Sequence, residues 1–164
     1  MALQPVYTLS QPFCTLQFCT FLLNGYLFGV PVPEVQEVIR YQPITPVPLA
    51  PPAVVGMINL RGQIVLAIDL RHRLALEKRC EGELPMNVVV RTPDGAVSLL
   101  VDEIGDVIEV DHSTFEAPPE TLRGAVRAMI LGVHKLDHRL LHLLDTGKAC
   151  QVPDAGDSPV NDHL

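Results

Sequence analysis

The sequence predicts a mostly β fold made of two related halves packed on each other. Three observations carry that prediction. Apolar runs "FCTFLL" (18–23) and "LFGVPV" (27–32) flank Asn24-Gly25, and "MNVVVRT" (86–92) and "AVSLLVDEI" (96–104) flank "PDG" (93–95). Paired runs around such turns are hairpin signals, because a tight type I′ turn needs positive φ at its central residues, which Asn and Gly tolerate. The remaining apolar segments are short and rich in Val, Ile and Leu, as in strands buried on both faces. Finally, one stretch of the chain answers another at an offset of 76 residues.

Taken in order, the first hairpin is followed by "PEVQEVI" (33–39). Pro33 at a first helical position and Glu34 just inside it predict a short helical turn. Residues 42–52, "QPITPVPLAPP", hold five prolines and form an extended loop unable to join a sheet interior. "VVGMINL" and "GQIVLAIDL" read as strands, or as a strand and a turn, joined around Arg61-Gly62, and Asp69 can cap a short helix over "LRHRLAL". The polar segment 77–85 is a surface loop, and the second hairpin follows it. Residues 117–129 are irregular and then weakly helical, and "MILGVHKL" and "HRLLHLLD" make a last pair around Asp137-His138. Residues 1–12 and 151–164 read as flexible tails.

In the repeat, Gly56 answers Gly132, Leu60 answers Leu136, Val65 answers Leu141 and Asp69 answers Asp145. With one residue of slip, Asn24-Gly25 answers Asp94-Gly95, and Val35 and Val38 answer Ile104 and Val107. Two correspondences in the same order divide residues 13–150 into halves of about 13–80 and 86–150. Segments this small and strand-rich suggest small barrels, neither with a core sufficient alone.

Composition narrows the function. The chain has 164 residues, 48% hydrophobic and 19% charged, enough to build a core. A net charge of −7 argues against non-specific nucleic-acid binding, which needs a basic face. No charge-free apolar run reaches membrane-helix length, and no secretory signal is visible, so a soluble cytoplasmic protein is expected. Cys14, Cys19, Cys80 and Cys150 form no zinc-type cluster and are expected to be free thiols. No nucleophile-elbow, phosphate-loop or dinucleotide motif appears, so no catalytic residues are assigned and no cofactor is expected.

The strings "VQEV" (35–38), "GMINLRGQIVLAIDLR" (56–71), "LLVDEIGDV" (99–107) and "RLLHLLD" (139–145), in this order, resemble the CheW family of bacterial chemotaxis coupling proteins. The resemblance spans about 13–150. It implies two packed five-stranded SH3-like barrels with a few short helices. It also implies a non-catalytic adaptor joining methyl-accepting chemoreceptor tips to the regulatory domain of a CheA-type histidine kinase. Such proteins alternate with kinase domains, and with other CheW-like domains, in rings at membrane-associated receptor arrays, without entering the membrane. The same module serves pilus motility, surface sensing and gene regulation. A small-ligand-binding barrel is the rival reading.

Six residues are expected to meet the receptor or kinase. Arg61 resembles the family's signature arginine, and a guanidinium is a frequent interface anchor. Glu37 is its expected local support. Val35, Val38, Ile104 and Val107 fall in pairs at i, i+3, a spacing that on a helical turn shares one face. By resemblance they line a groove between the barrels. Glu34, Glu37, Asp102, Glu103, Asp106, Glu109 and Asp111 are expected to form a solvated acidic band. His134, His138 and His142 sit at metal-like spacing on a helix, but the repeat places them on a strand pair, which would scatter them.

Overall fold

A computed structural model of the chain describes residues 15–152. Eleven strands run through these residues. In chain order they are β1 (Thr15–Leu23), β2 (Tyr26–Pro31), β3 (Val35–Ile39), β4 (Val54–Leu60), β5 (Gln63–Asp69), β6 (Met86–Thr92), β7 (Gly95–Val101), β8 (Glu103–Asp111), β9 (Phe115–Glu116), β10 (Ile130–Lys135) and β11 (Leu140–Leu144). Three short helices accompany them: α1 (Leu70–Arg73), α2 (Gly124–Met129) and α3 (Thr146–Cys150). The expected mostly β class with a few short helices is the one observed.

Both predicted hairpins form. Asn24 and Gly25 take φ values of 50° and 81°, the left-handed pair that joins β1 to β2. Pro93-Asp94 joins β6 to β7, with Thr92 paired to Gly95. Over 33–39 the outcome differs. A single 3-10 turn covers Val32–Glu34, and the chain then extends into β3. β3 pairs with β6, so tertiary ladder bonds override the short helical preference.

The strands form two sheets, ordered β8-β1-β2-β11-β10-β9 and β3-β6-β7-β5-β4. The expectation of five strands each thus holds for one sheet only, and no ladder closes either sheet into a cylinder. The halves 13–80 and 86–150 do not each build a sheet. β1 and β2 join strands of the second half, while β6 and β7 join strands of the first. In the terms of the repeat, the two orders are one order with the hairpins exchanged. β8 answers β3, β1-β2 answers β6-β7, and β11-β10 answers β5-β4. Even β9 has a counterpart, the isolated bridge of Thr45 to Met57. One parallel pair occurs in each sheet, β2 with β11 and β5 with β7, at the seam between borrowed hairpin and host strands.

The repeat also governs local detail. β4 and β10 each carry a register shift, at Val54/Gly56 and at Ile130/Gly132. The Asp69 amide donates to the Ala53 carbonyl and the Asp145 amide to the Met129 carbonyl, both at 2.8 Å. Asp69 caps α1 by accepting from the Arg71 amide, and Asp145 caps α3 by accepting from the Lys148 amide.

Three apolar clusters account for the unbroken Val/Ile/Leu runs. Val88 and Val90 point into a cluster between the sheets with Phe21, Phe28, Ile68, Leu99 and Val101. Val89, between them, points the other way, into a second cluster with Ile58, Leu60, Val65, Ala67 and Leu100. Phe18, Leu27, Val110, Leu141 and Leu143 form the matching cluster of the other sheet. Each sheet therefore curls around its own cluster and lays its opposite side on its neighbour. Burying each such side chain contributes about 1.5–3 kcal/mol.

Val152 packs against the inter-sheet cluster. The rest of the expected tails, 1–12 and 153–164, and Cys14 lie outside the described residues.

Candidate partner-binding surface

Arg61 and Gly62 form the two-residue turn between β4 and β5, with φ values of 51° and 85°. Such values cost an arginine energy, and the turn is braced by the Gly62 amide donating to the Asn59 side-chain oxygen at 2.9 Å. In "NLRG" the asparagine thus supports the turn that presents the arginine. The second half departs here, since neither Asp137 nor His138 takes positive φ.

The Arg61 guanidinium lies 3.3 Å from the Glu37 carboxylate, yet its side chain remains 86% exposed, against 19% for Glu37. Local support and outward display therefore coexist. β3, which carries Glu37, and β4 are opposite edges of the same sheet. The ion pair joins the β4–β5 turn to that far edge, which the sheet's curl has brought around.

The apolar pairs share a side, but not through helical spacing. All four residues lie on strands, where positions three apart normally face opposite ways. A bulge corrects each. Val35 stands opposite Val90 and Val38 opposite Val88, so three residues of β3 span two of β6. Ile104 stands opposite Phe21 and Val107 opposite Cys19, the same arrangement on β8 and β1. Val35 and Ile104 both pack against the inter-sheet cluster. Val38 and Val107 continue those sides outward and are 37% and 59% exposed. The structure so brings Val35 and Ile104 onto one core from two different sheets, and leaves one valine of each pair uncovered beside it.

The acidic set is not one solvated band. Asp102 is partly buried and accepts from Arg71 Nε at 2.8 Å, from Arg71 Nη2 at 2.5 Å, from Arg79 Nη2 at 3.1 Å and from the Asn24 amide at 2.8 Å. Burial pushes its carboxyl upward, but the bonds from Arg71 and Asn24 and the charges of Arg71 and Arg79 outweigh that and hold it below the usual carboxylate range. Glu34 accepts from the Thr146 hydroxyl, Glu109 from Gln17, and Asp111 from the Ser113 amide. Sequence reading missed the Arg71–Asp102–Arg79 cluster. Its members are 31 and 23 residues apart, and nothing local signals the contact.

The histidines are scattered as the repeat implied. His134 is fully buried on β10 against Phe18 and Phe115, and His142 on β11 packs against Tyr26 and Phe28. His138 is exposed in the turn between them. Among the described residues no group of His, Cys, Asp or Glu is arranged to hold a metal ion. Cys19, Cys80 and Cys150 are free thiols, with Cys80 exposed. No helix among these residues is long and apolar enough to cross a membrane.

Comparison with known proteins settles the lineage. The model of the CheW-like domain matches residues 17–152, most of the chain and all of the surface described above. The chain belongs to the CheW family. Among family members, the chemotaxis protein CheW of Bacillus subtilis is 34% identical over 125 residues, covering 76% of this chain and 80% of that one. The CheW of Treponema pallidum is 30% identical over 136 residues, covering 80% of each. The crystal structure of the scaffolding protein TtCheW from Thermoanaerobacter tengcongensis superposes with a TM-score of 0.72 at 29% identity, covering 80% of this chain and 89% of that one. The CheW-like match ends at Val152, a residue that packs against the inter-sheet core.

Proposed function

We propose that this CheW-family chain is the coupling adaptor of a chemotaxis system, joining chemoreceptor cytoplasmic tips to the regulatory domain of a CheA-type histidine kinase. It works by geometry and not by catalysis. Each curled sheet acts as a small SH3-like barrel, and the two present separate surfaces to separate partners. Weak contacts of this kind gain strength from the high effective concentration inside a receptor array at the membrane.

The observation that carries the reading is the pairing of an anchored but exposed cation with uncovered apolar residues. Arg61 is held by Glu37 and is still 86% exposed. Val38 and Val107 stand uncovered beside the inter-sheet core on which Val35 and Ile104 rest. A receptor tip presenting a helix would lay its apolar stripe along these residues, since a helix in an apolar groove is an established recognition mode.

Pull-down of purified protein with a kinase regulatory domain and with a receptor-tip fragment tests the proposal. Both should be retained, and the three together should raise kinase activity above that of the kinase alone. Retention of neither partner at array-like concentrations overturns it.

A further inference from the structure

The two bulges that turn Val35–Val38 and Ile104–Val107 to one side are each latched by a side chain from the neighbouring strand. A bulge removes backbone groups from the ladder and leaves them to find other partners. Arg91 of β6 donates through Nη1 to the carbonyl of Val35, the first residue of β3, and to that of Pro33 in the 3-10 turn just before it, each at 2.9 Å. On β8, the buried Thr20 of the adjacent β1 donates its hydroxyl to the Asp106 carbonyl at 2.5 Å. Thr20 sits between Cys19 and Phe21, the two residues across which the register shifts. The fit there is close: a Cβ at Gly105 would lie 2.4 Å from the Thr20 oxygen, so the bulge and the hydroxyl need a glycine between them.

The two latches are chemically unrelated, a guanidinium and a hydroxyl, yet they act on answering strands of the repeat. β3 answers β8, and β6 answers β1. The recurrence of the function without recurrence of the residue argues that the bulge geometry itself is what is held. A strand without its bulge would turn Val38 or Val107 to the opposite side of its sheet, because a one-residue slip inverts the side-chain alternation.

We propose that Arg91 and Thr20 are positioning residues, which fix the two bulges and thereby the placement of the paired apolar residues for an apolar helical partner. The inference rests on the reading of those residues as receptor contacts. In this proposal the latches act through the bulges and not as partner contacts.

The experiment compares Arg91→Met and Thr20→Val with the conservative Arg91→Lys and Thr20→Ser, all in the full chain. Affinity is measured for a receptor-tip fragment and, separately, for a kinase regulatory domain. Val38→Asp and Val107→Asp serve as direct contact variants. Amide chemical shifts of residues 35–38 and 104–107 report the bulges. Arg91→Met and Thr20→Val should weaken receptor-tip binding by about three- to tenfold, with the amide shifts of the matching bulge displaced and kinase-domain affinity kept. Thr20→Ser should restore binding, since it keeps the hydroxyl, and Arg91→Lys should restore part of it. If the contact variants abolish receptor binding while the latch variants leave it unchanged, the positioning role is overturned and the surface stands. If the contact variants leave receptor binding intact, the surface reading falls and the positioning role with it. Equal loss of both partners in Arg91→Met or Thr20→Val, in step with a fall in melting temperature, reduces the latches to fold stability and also overturns the proposal.

Discussion

Arg61 stands 3.3 Å from Glu37 and ties the β4–β5 turn to β3, the opposite edge of the five-stranded sheet. No ladder joins those edges, so the ion pair and the apolar cluster inside the curl hold them together. An exposed pair of this kind contributes about 0–1 kcal/mol. Arg61→Ala should therefore lower the melting temperature by no more than about 3 °C. Receptor-dependent kinase activation should fall severalfold in the same variant. Unfolding of Arg61→Ala in a thermal scan would return the residue to a purely structural role.

Val38 and Val107 are already in contact with water, so placing a carboxylate there costs the fold little, about 0.5 kcal/mol. Against an apolar helix the same carboxylate would be desolvated without a partner. Val38→Asp and Val107→Asp should keep native circular dichroism and lose receptor-tip binding in pull-down. Val35→Asp should differ, because Val35 packs on the inter-sheet core and its substitution destabilises the protein itself.

Gly56 and Gly132 occupy answering register shifts against answering neighbours. A Cβ at Gly56 would meet the Thr45 carbonyl oxygen at 2.2 Å, and that oxygen is fixed by the Met57 amide. A Cβ at Gly132 would meet the Phe115 ring at 2.4 Å and the Glu116 carbonyl at 2.6 Å. Gly56→Ala and Gly132→Ala should each destabilise by about 1–3 kcal/mol in urea titration. Gly56→Ala should be the more severe, since its nearest neighbour is a backbone oxygen at 2.2 Å, whereas the nearest to Gly132 is an exposed ring with backbone 2.6 Å away.

Asp102 is held below its ordinary range in the folded protein, so the unfolded chain binds a proton there at a higher pH than the native one does. The stability it contributes is complete above the ordinary aspartate value of 3.8 and is lost as pH falls below it. Asp102→Asn leaves Arg71 and Arg79 without their shared anion and should cost about 1–3 kcal/mol at neutral pH. The variant should also show a shallower loss of stability below pH 4, measured by chemical denaturation at stepped pH.

His134 titrates in a different window. Burial, with a smaller contribution from His112, holds its pKa below the ordinary 6.5. Thr114 donates its hydroxyl to the Asp111 carbonyl and so must accept from His134 Nδ1, which leaves the buried Nε2 as a bare lone pair. The unfolded chain gains a proton at His134 before the native one does, so stability should fall as pH drops through 6.5. His134→Gln should flatten that slope in melting curves taken between pH 7.5 and 5.5, whatever its effect at neutral pH.

Much of this protein was legible in the chain because the signals are local. Asn24-Gly25 marks a turn through the φ values its residues tolerate, Asp69 marks a helix start through its side-chain oxygen, and the 76-residue offset marks a repeated unit. The placement of the candidate residues was legible in part, since Arg61 stands beside Glu37 and Val35 and Ile104 rest on one core. The i, i+3 spacing of the two apolar pairs signals a helical turn on an isolated segment. On a strand it requires a bulge, and a bulge is a relation between two strands.

The sequence by itself determined the class, the hairpins, the cap at Asp69 and the existence of two answering segments, since each depends on residues within one turn or on direct comparison of the chain with itself. Only the tertiary structure decided which hairpin pairs with which half. The exchange of β1-β2 and β6-β7 leaves every local signal unchanged, and so does the gathering of Asp102, Arg71 and Arg79. Those arrangements are selected by burial of apolar surface between the sheets, a long-range energy that no short window of sequence contains.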